Sequence, residues 1–326
     1  MNLVNENGGS HMEKKVRNVH LIGLGAIGGA YAGRIVEKYP ESLQVIVDSQ
    51  RRERYGRDGV TINGEKVDFT YAVPGEHDVK SDLIIIAVKQ HHLALAIEEI
   101  RSFVGPDTII LSLLNGIVSE EVLGREFGPE KMLYSFCVGT DAVRKGTDIH
   151  YTNMGKIVMG DKDDPGSAKL AAVKEFFDIS GVPYSVPEDI MRELWWKFML
   201  NVGINQVSAV LKAPYGAFTR EGEARELMIS ASREVIAIAG KAGVNLTEND
   251  IQDYLKVIAT LSPEGKTSMC QDVEAGRKTE VEIFSGTVIE LGNKYGVPTP
   301  VNNVLFRLLR AIEQLAVAAF RPVLRV

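Results

Sequence analysis

Short, mainly apolar runs alternate along the first half of the chain with segments whose apolar residues recur every three or four positions. Residues 19–23 (Val-His-Leu-Ile-Gly), 43–48, 82–89 and 107–114 are strand-length runs rich in Ile, Val and Leu. Runs of this kind, with little polar alternation, are the mark of strands covered on both faces, as in parallel sheets. A helical stretch runs from the first of them to about Lys38, and residues 92–103 set Leu95, Ile97 and Ile100 among Ala and Glu. The alternation predicts a doubly wound α/β sheet, completed by residues 151–160 and a helix over 168–180. From Pro187 the texture changes, with Pro183 and Pro187 punctuating the junction. Residues 188–211, 221–242, 271–295 and 301–319 all read as helical, so the second domain is predicted to be all-α. The expected division is a leading segment over 1–15, an α/β domain over 16–186 and a helical domain over 187–326.

Composition narrows this only a little. A length of 326 residues favours two domains over one. Against 43 acidic residues stand 37 Lys and Arg, a net charge of −6, which excludes a surface that wraps nucleic acid but leaves room for local anion pockets. No apolar run approaches the ~20 residues that span a bilayer, so no membrane partner is expected. The segment ending Gly8-Gly9-Ser10-His11-Met12 reads as an expression-tag remnant, with the native start expected near Met12. Cys137 and Cys270 fit neither a disulfide framework nor a zinc spacing; they read as small buried hydrophobes in a reducing, cytoplasmic setting. Adjacent His91 and His92 would point apart on a helix, so no metal is expected there. Trp195 and Trp196 read as core and cleft wall. Residues 320–326 suit a frayed end or an oligomer contact equally.

Two places carry candidate chemistry. Gly23, Gly25 and Gly28 give the G-x-G-x-x-G spacing between an expected strand and an expected helix. The first glycine permits the tight turn, the second lets the backbone approach a pyrophosphate, and the third lets helix and strand pack closely. The anion then meets free N–H groups and the positive end of the helix dipole. Asp48 follows Gly28 by twenty residues, where an acid bonds ribose hydroxyls and favours NAD. Arg51, Arg52 and Arg54 come directly after it and suit a 2′-phosphate, or simply a solvated basic turn. The second place is Lys197, Asn201 and Asn205, spaced i, i+4 and i+8 on an otherwise apolar helix. On a buried helix such groups are costly unless they line a polar cavity; the plain alternative is a solvent stripe. Ser268 and Asp272 can share a further helical face, with Glu280 close to it, although ordinary helix capping explains the Ser equally well.

The chain resembles the ketopantoate reductase family from Val19 to about Glu313. The resemblance is carried by Gly23-Leu-Gly-Ala-Ile-Gly28, Ala87-Val-Lys89-Gln90, Leu114-Asn115-Gly116, the Lys197/Asn201/Asn205 spacing, and Ser268-Met269-x-x-Asp272 with Arg277-x-Thr279-Glu280. It implies a Rossmann domain followed by a helical domain like that of 6-phosphogluconate dehydrogenase. It further implies reduction of 2-dehydropantoate to pantoate with NADPH, a step toward pantothenate and coenzyme A. By resemblance Lys197 is the catalytic general acid and Glu280 a catalytic group at the cofactor–substrate junction. Asn115, Asn201, Asn205 and Ser268 are substrate contacts. Gly23, Gly25, Ala26, Ile27, Gly28, Arg51, Lys89, Asn115 and Glu280 form the cofactor set. The departure is at Asp48, where family members commonly carry an Arg; NAD(H) is the alternative donor. A small 2-oxo acid is the expected partner and a homodimer the expected assembly.

The residue types suit this chemistry independently. Hydride delivery to a ketone leaves negative charge on the carbonyl oxygen, so a cation or donor must meet it. A lysine can polarise the oxygen and then yield a proton, its pKa lowered by burial. Asn amides and a Ser hydroxyl bind a carboxylate or a hydroxyl without demanding a charge state. Two other functions remain open: a 2-oxo or 3-hydroxy acid dehydrogenase of other substrate, and a dinucleotide-binding sensor without turnover.

Overall fold

The computed structural model describes residues 15–76 and 79–319. The expectations for the leading segment up to residue 14, and for residues 320–326, lie outside the described residues. Two compact units are present. The first holds the described residues up to Val88 together with Ala94–Leu113 and Glu126–Glu188; the second holds Lys89–Leu93, Leu114–Arg125 and the chain from Asp189 onward.

Through residue 188 the chain forms β1 (Val19–Ile22), α1 (Ala26–Lys38), β2 (Leu43–Ile46), α2 (Ser49–Asp58), β3 (Thr61–Ile62), β4 (Glu65–Lys66), β5 (Thr70–Ala72) and β6 (Leu83–Ile86). Then follow α3 (Leu93–Ile100), β7 (Ile109–Ser112), α4 (Ser119–Phe127), β8 (Met132–Val138), β9 (Val143–Lys145), β10 (Asp148–His150), β11 (Lys156–Gly160), α5 (Ala168–Ser180) and β12 (Tyr184–Ser185). Eight strands make the main sheet in the order β12-β11-β8-β7-β6-β1-β2-β5, with only the β8–β11 pair antiparallel. β1, β6 and β7 are buried at every position, as their predominantly apolar runs lead one to expect. From β1 the chain pairs outward to β2 and later returns to pair β6 on the other side. That reversal of strand order puts the turn after β1 at a topological switch point, where α/β sheets bind ligands.

The observed strands are shorter than the apolar runs that signal them. Gly23, Asp48 and Lys89 lie past the strand ends, in the turns that lead into helices. A second sheet, β4-β3-β10-β9, was not expected, because strands of two or three residues leave no readable period.

In the second unit follow α6 (Ile190–Leu211), α7 (Glu223–Lys241), α8 (Glu248–Thr260), α9 (Ser268–Glu274), α10 (Thr287–Tyr295) and α11 (Pro300–Ala319). Asp189 caps α6, its carboxylate accepting from the Arg192 N–H at 2.9 Å. Apolar side chains on every side of α6 bury it among α7, α9 and α11. At the start of α11 the buried Glu234 carboxylate accepts from the Val301 and Asn302 N–H groups at 2.7 and 3.0 Å, doing from a distance what a capping residue does locally. Two expectations are corrected here. α8 was not anticipated from its mixed composition. Residues 271–295 are not one helix: α9 stops at Glu274, Gly276 takes a φ of +63°, and a single π-helical turn over Glu282–Gly286 precedes α10.

His20 breaks the apolar run of β1. It is almost fully buried, with Nδ1 2.8 Å from the Ser81 hydroxyl and its ring 4.6 Å from that of Phe103. Burial pushes the imidazole down to about 4. The unfolded chain therefore binds this proton more readily, and stability falls as pH drops from about 6.5 toward 4. We expect His20 alone to remove about 2 kcal/mol between pH 7 and pH 5. Urea unfolding of the wild type and of His20→Gln at both pH values measures this; equal slopes against pH in the two proteins would exclude it.

Candidate functional site

In the first unit the glycine turn has a distinct job at each glycine. Gly23 sits at φ +102°, and a Cβ there would come within 2.5 Å of the Ala87 carbonyl oxygen. A Cβ on Gly28 would overlap the Gly23 carbonyl. Both positions are demanded by contacts within the protein. Gly25 differs, since its Cβ would meet nothing nearer than 4.0 Å. Glycine at that position leaves space that no side chain of this unit fills, as backbone approach to a ligand requires. Gly25 is also the N-cap of α1 and offers no capping side chain, so the N–H groups of the first turn, over Ala26, Ile27 and Gly28, have no cap acceptor. The turn therefore fits a dinucleotide pyrophosphate.

At the end of β2, Asp48 is the N-cap of α2. Its Oδ1 accepts from the Arg51 N–H at 2.6 Å, and its Oδ2 lies 3.5 Å from the Arg51 Nε. Arg52 is paired with Glu76 at 2.6 Å, and the Arg54 guanidinium lies 5.0 Å from the centre of the Tyr55 ring. Glu99 of α3 senses the same charges. Burial pushes its carboxyl up, Arg51 pulls it down and Asp48 pushes it up again. The basic turn is thus threaded with carboxylates.

The second unit gathers most of the remaining candidates. Lys197, Asn201 and Asn205 lie on α6, and the Asn205 amide donates to Asn201 Oδ1 at 3.4 Å, as i, i+4 neighbours on one face should. Asn201 is 4% exposed and Asn205 7%, and Lys197 is part-buried, so these residues are not a solvent stripe. That long contact is the one side-chain hydrogen bond recorded for either amide among the described residues, which leaves polar capacity for a ligand. Trp195 is core, packed edge-on against Phe198, whereas Trp196 is part-exposed.

Around them lies a charged cluster. Asp272, buried on α9, accepts from Lys89 Nζ at 2.6 Å and from Arg277 Nε at 2.8 Å. Asn115, in the turn before α4, donates Nδ2 to Glu280 Oε2 at 3.1 Å. Burial pushes the Glu280 carboxyl up, and the Asn115 bond, the Lys89 charge and the Gln90 N–H only partly offset it while Asp272 adds to the rise. Glu280 is therefore better able than an ordinary carboxyl to hold a proton near neutrality. Glu280 is not on the α9 face anticipated from its spacing; it reaches this cluster through the loop that follows Gly276. Lys89 and Asn115, far from α6 in sequence, share the unit with it because Lys89–Leu93 and Leu114–Arg125 belong there.

Ser268 also differs from the plain alternative. The cap of α9 is Thr267, whose hydroxyl accepts from the Cys270 N–H at 3.2 Å and lies 2.5 Å from the Ser208 hydroxyl. Ser268 is the exposed first residue of the helix and does no capping. Cys270 is buried and burial pushes its thiol up, which makes it a poor nucleophile. His91 and His92 do not point apart on a helix. They lie in a 3₁₀ turn with ring centres 4.2 Å apart, and burial, then His92, Lys278 and Lys89, hold His91 below its ordinary range. Sequence reading missed the buried Gln206–Ser285–Asn302 network that ties the π-helical turn to α6 and α11. Polar residues one position away from the readable face give no periodic signal. Among the described residues no helix is long and apolar enough to cross a membrane.

The family described as "Ketopantoate reductase PanE/ApbA" matches residues 19–164, and its C-terminal counterpart matches residues 189–313. The 2-dehydropantoate 2-reductase of Aquifex aeolicus is 27% identical over 304 residues, covering 90% of this chain and 96% of that protein. That of Pyrococcus horikoshii is also 27% identical, covering 91% and 98%. The ketopantoate reductase structure from Ralstonia eutropha superposes with a TM-score of 0.80 at 24% identity, covering 92% of this chain and 99% of that one. A D-mandelate dehydrogenase in complex with NADH and anilino(oxo)acetate superposes with 0.79 at 22% identity, with the same coverage. The architecture is accordingly an N-terminal Rossmann-type sheet with a helical C-terminal part, and the chain is an oxidoreductase that belongs to the ketopantoate reductase family.

Proposed function

We propose that the protein reduces a small 2-oxo acid, 2-dehydropantoate first among candidates, to the 2-hydroxy acid. The observation that carries this reading is the pair of buried asparagine amides beside Lys197 on a largely apolar, buried helix. A bound nicotinamide supplies the hydride. Lys197 meets the carbonyl oxygen as charge develops there and gives it a proton, help typically worth about 10²–10⁴-fold. Asn201 and Asn205 orient the 2-oxo acid, with Asn115 and the exposed Ser268 hydroxyl as further contacts. Glu280, with its raised proton affinity, holds Asn115 and accepts from or donates to a substrate hydroxyl. Gly23, Gly25, Ala26, Ile27 and Gly28 hold the pyrophosphate, and Lys89 adds a cation already oriented by Asp272. A homodimer fits this reading, since a Staphylococcus aureus ketopantoate reductase is described as dimeric. A chain with two cysteines and no disulfide framework in its spacing fits the cytoplasm.

The donor expected of the family is NADPH, with Arg51 and Arg52 on the 2′-phosphate. The groups around Asp48 support NADH instead. A ribose diol can donate to the Asp48 carboxylate, and a phosphate dianion cannot. A 2′-phosphate would also face Glu99, with Arg51 already shared with Asp48 and Arg52 with Glu76. A D-mandelate dehydrogenase of the same fold is described with NADH.

The test is loss of nicotinamide absorbance with 2-dehydropantoate and with an arylglyoxylate, run with NADH and NADPH in parallel. We expect 2-dehydropantoate to be reduced, with kcat/KM at least about tenfold higher for NADH. Faster use of NADPH would return donor choice to Arg51 and Arg52. Turnover of the arylglyoxylate alone would move the substrate toward that of the mandelate dehydrogenase. Binding of either dinucleotide with no turnover of any oxo acid would make the protein a sensor. Lys197→Ala is expected to lower kcat about a hundredfold or more with dinucleotide binding intact; near-normal turnover would remove Lys197 from the mechanism. Ser268→Ala is expected to weaken oxo-acid binding by about 1–3 kcal/mol while leaving the melting temperature unchanged, because Thr267 keeps the cap. A fall in melting temperature with unaltered KM would make Ser268 structural.

A further inference from the structure

The small sheet of the first unit has no place in the reading above, yet it sends a cation to the glycine turn. Arg144 of β9 stands directly opposite Ile149 of β10. Ile149 packs over Gly29 of α1, where any Cβ would overlap the Ile149 Cδ1, so the absence of a side chain at Gly29 gives the hairpin its seat on the helix. Seated there, the Arg144 guanidinium reaches three oxygens. Nη1 donates to the Leu24 carbonyl in the turn, Nη2 to the Tyr55 hydroxyl of α2 at 3.2 Å, and Nε to the Gly146 carbonyl of its own hairpin at 2.7 Å. The charge also lies 5.6 Å from the centre of the Tyr55 ring, which Arg54 approaches to 5.0 Å. Burial pushes the Tyr55 phenol up, but the bond and charge of Arg144, then those of Arg54, outweigh it and hold the phenol below its ordinary range.

A staple for the hairpin alone would need only the Gly146 and Tyr55 oxygens. The Leu24 carbonyl belongs to the same peptide as the Gly25 N–H, which itself donates to the Gly23 carbonyl at 2.7 Å. One guanidinium therefore fixes the plane of the central peptide of the turn and ties α2 to it. We propose that Arg144 is a positioning residue for the dinucleotide, presetting the Leu24–Gly25 peptide before the pyrophosphate arrives. Ordering done in advance is not charged against binding. The inference rests on the reading of residues 23–28 as the dinucleotide turn.

The experiment is fluorescence titration of full-length wild type, Arg144→Ala, Arg144→Lys and Tyr55→Phe with NADH and NADPH, beside steady-state kinetics and melting curves. We expect Arg144→Ala to raise the Kd of the preferred dinucleotide about 10–100-fold, with the oxo-acid KM at saturating dinucleotide within about twofold. Arg144→Lys should recover part of the loss, since one ammonium cannot span the fork of three acceptors. Tyr55→Phe should cost about two- to fivefold in the same Kd. Unchanged Kd in folded Arg144→Ala would overturn the proposal, as would equal rises in Kd and oxo-acid KM, the signature of general loosening. If Arg144→Ala does not fold, normal dinucleotide binding by both Arg144→Lys and Tyr55→Phe would overturn it. Failure of the wild type to bind either dinucleotide would overturn the underlying reading, and this proposal with it.

Discussion

Polar side chains that leave water must be met by something polar, and in the second unit that constraint falls on α6. The helix is apolar almost all round, so it can sit at the centre of its bundle without loss. Asn201, Asn205 and Gln206 then become expensive passengers. The protein settles Gln206 internally, with the Ser285 N–H and hydroxyl and the Asn302 amide. It leaves Asn201 and Asn205 with one long bond between them. The difference separates structure from binding on adjacent turns of the same helix: one amide is satisfied by the fold, and the other two have capacity left over.

The same logic runs through the acidic groups. Asp272 is buried but shared between two cations, so its charge is offset where it stands. Glu280 has an amide for its direct side-chain partner and only the more distant pull of Lys89, so burial dominates and the proton is held more tightly. Two carboxylates in one cluster thus have different partners, a pair of cations for Asp272 and an amide for Glu280, and the raised proton affinity of Glu280 is what acid–base chemistry uses.

Much of this was legible in the sequence, for reasons that can be named. β1, β6 and β7 announce themselves because a strand covered on both faces is nearly all apolar; His20 and Ser112 are their two polar residues, both buried, and burial keeps the His20 imidazole neutral. Gly23 and Gly28 are legible because nothing with a Cβ fits. The i, i+4, i+8 spacing of Lys197, Asn201 and Asn205 is legible because α6 is regular over its whole length. What escaped lacks period or continuity. Strands β3, β4, β9 and β10 are too short to alternate, so Arg144 could not be connected with the glycine turn. The break after Glu274 depends on Gly276 in a left-handed conformation, and without it Glu280 was placed on the wrong helical face. Lys89 and Asn115 could be found by resemblance, but only the fold brings Lys89 to Asp272 and Asn115 to Glu280.

The cap of α9 has a consequence of its own. Thr267 holds the helix end through its hydroxyl, and Ser268, one residue on, presents its hydroxyl outward with no part in that bond. Foldability and ligand contact are written on neighbouring residues instead of on one. Position 268 can therefore change over evolutionary time without an accompanying threat of unfolding, and a lineage can try new side chains against new acids there at little risk. A scaffold with such a position is free to diversify its diet.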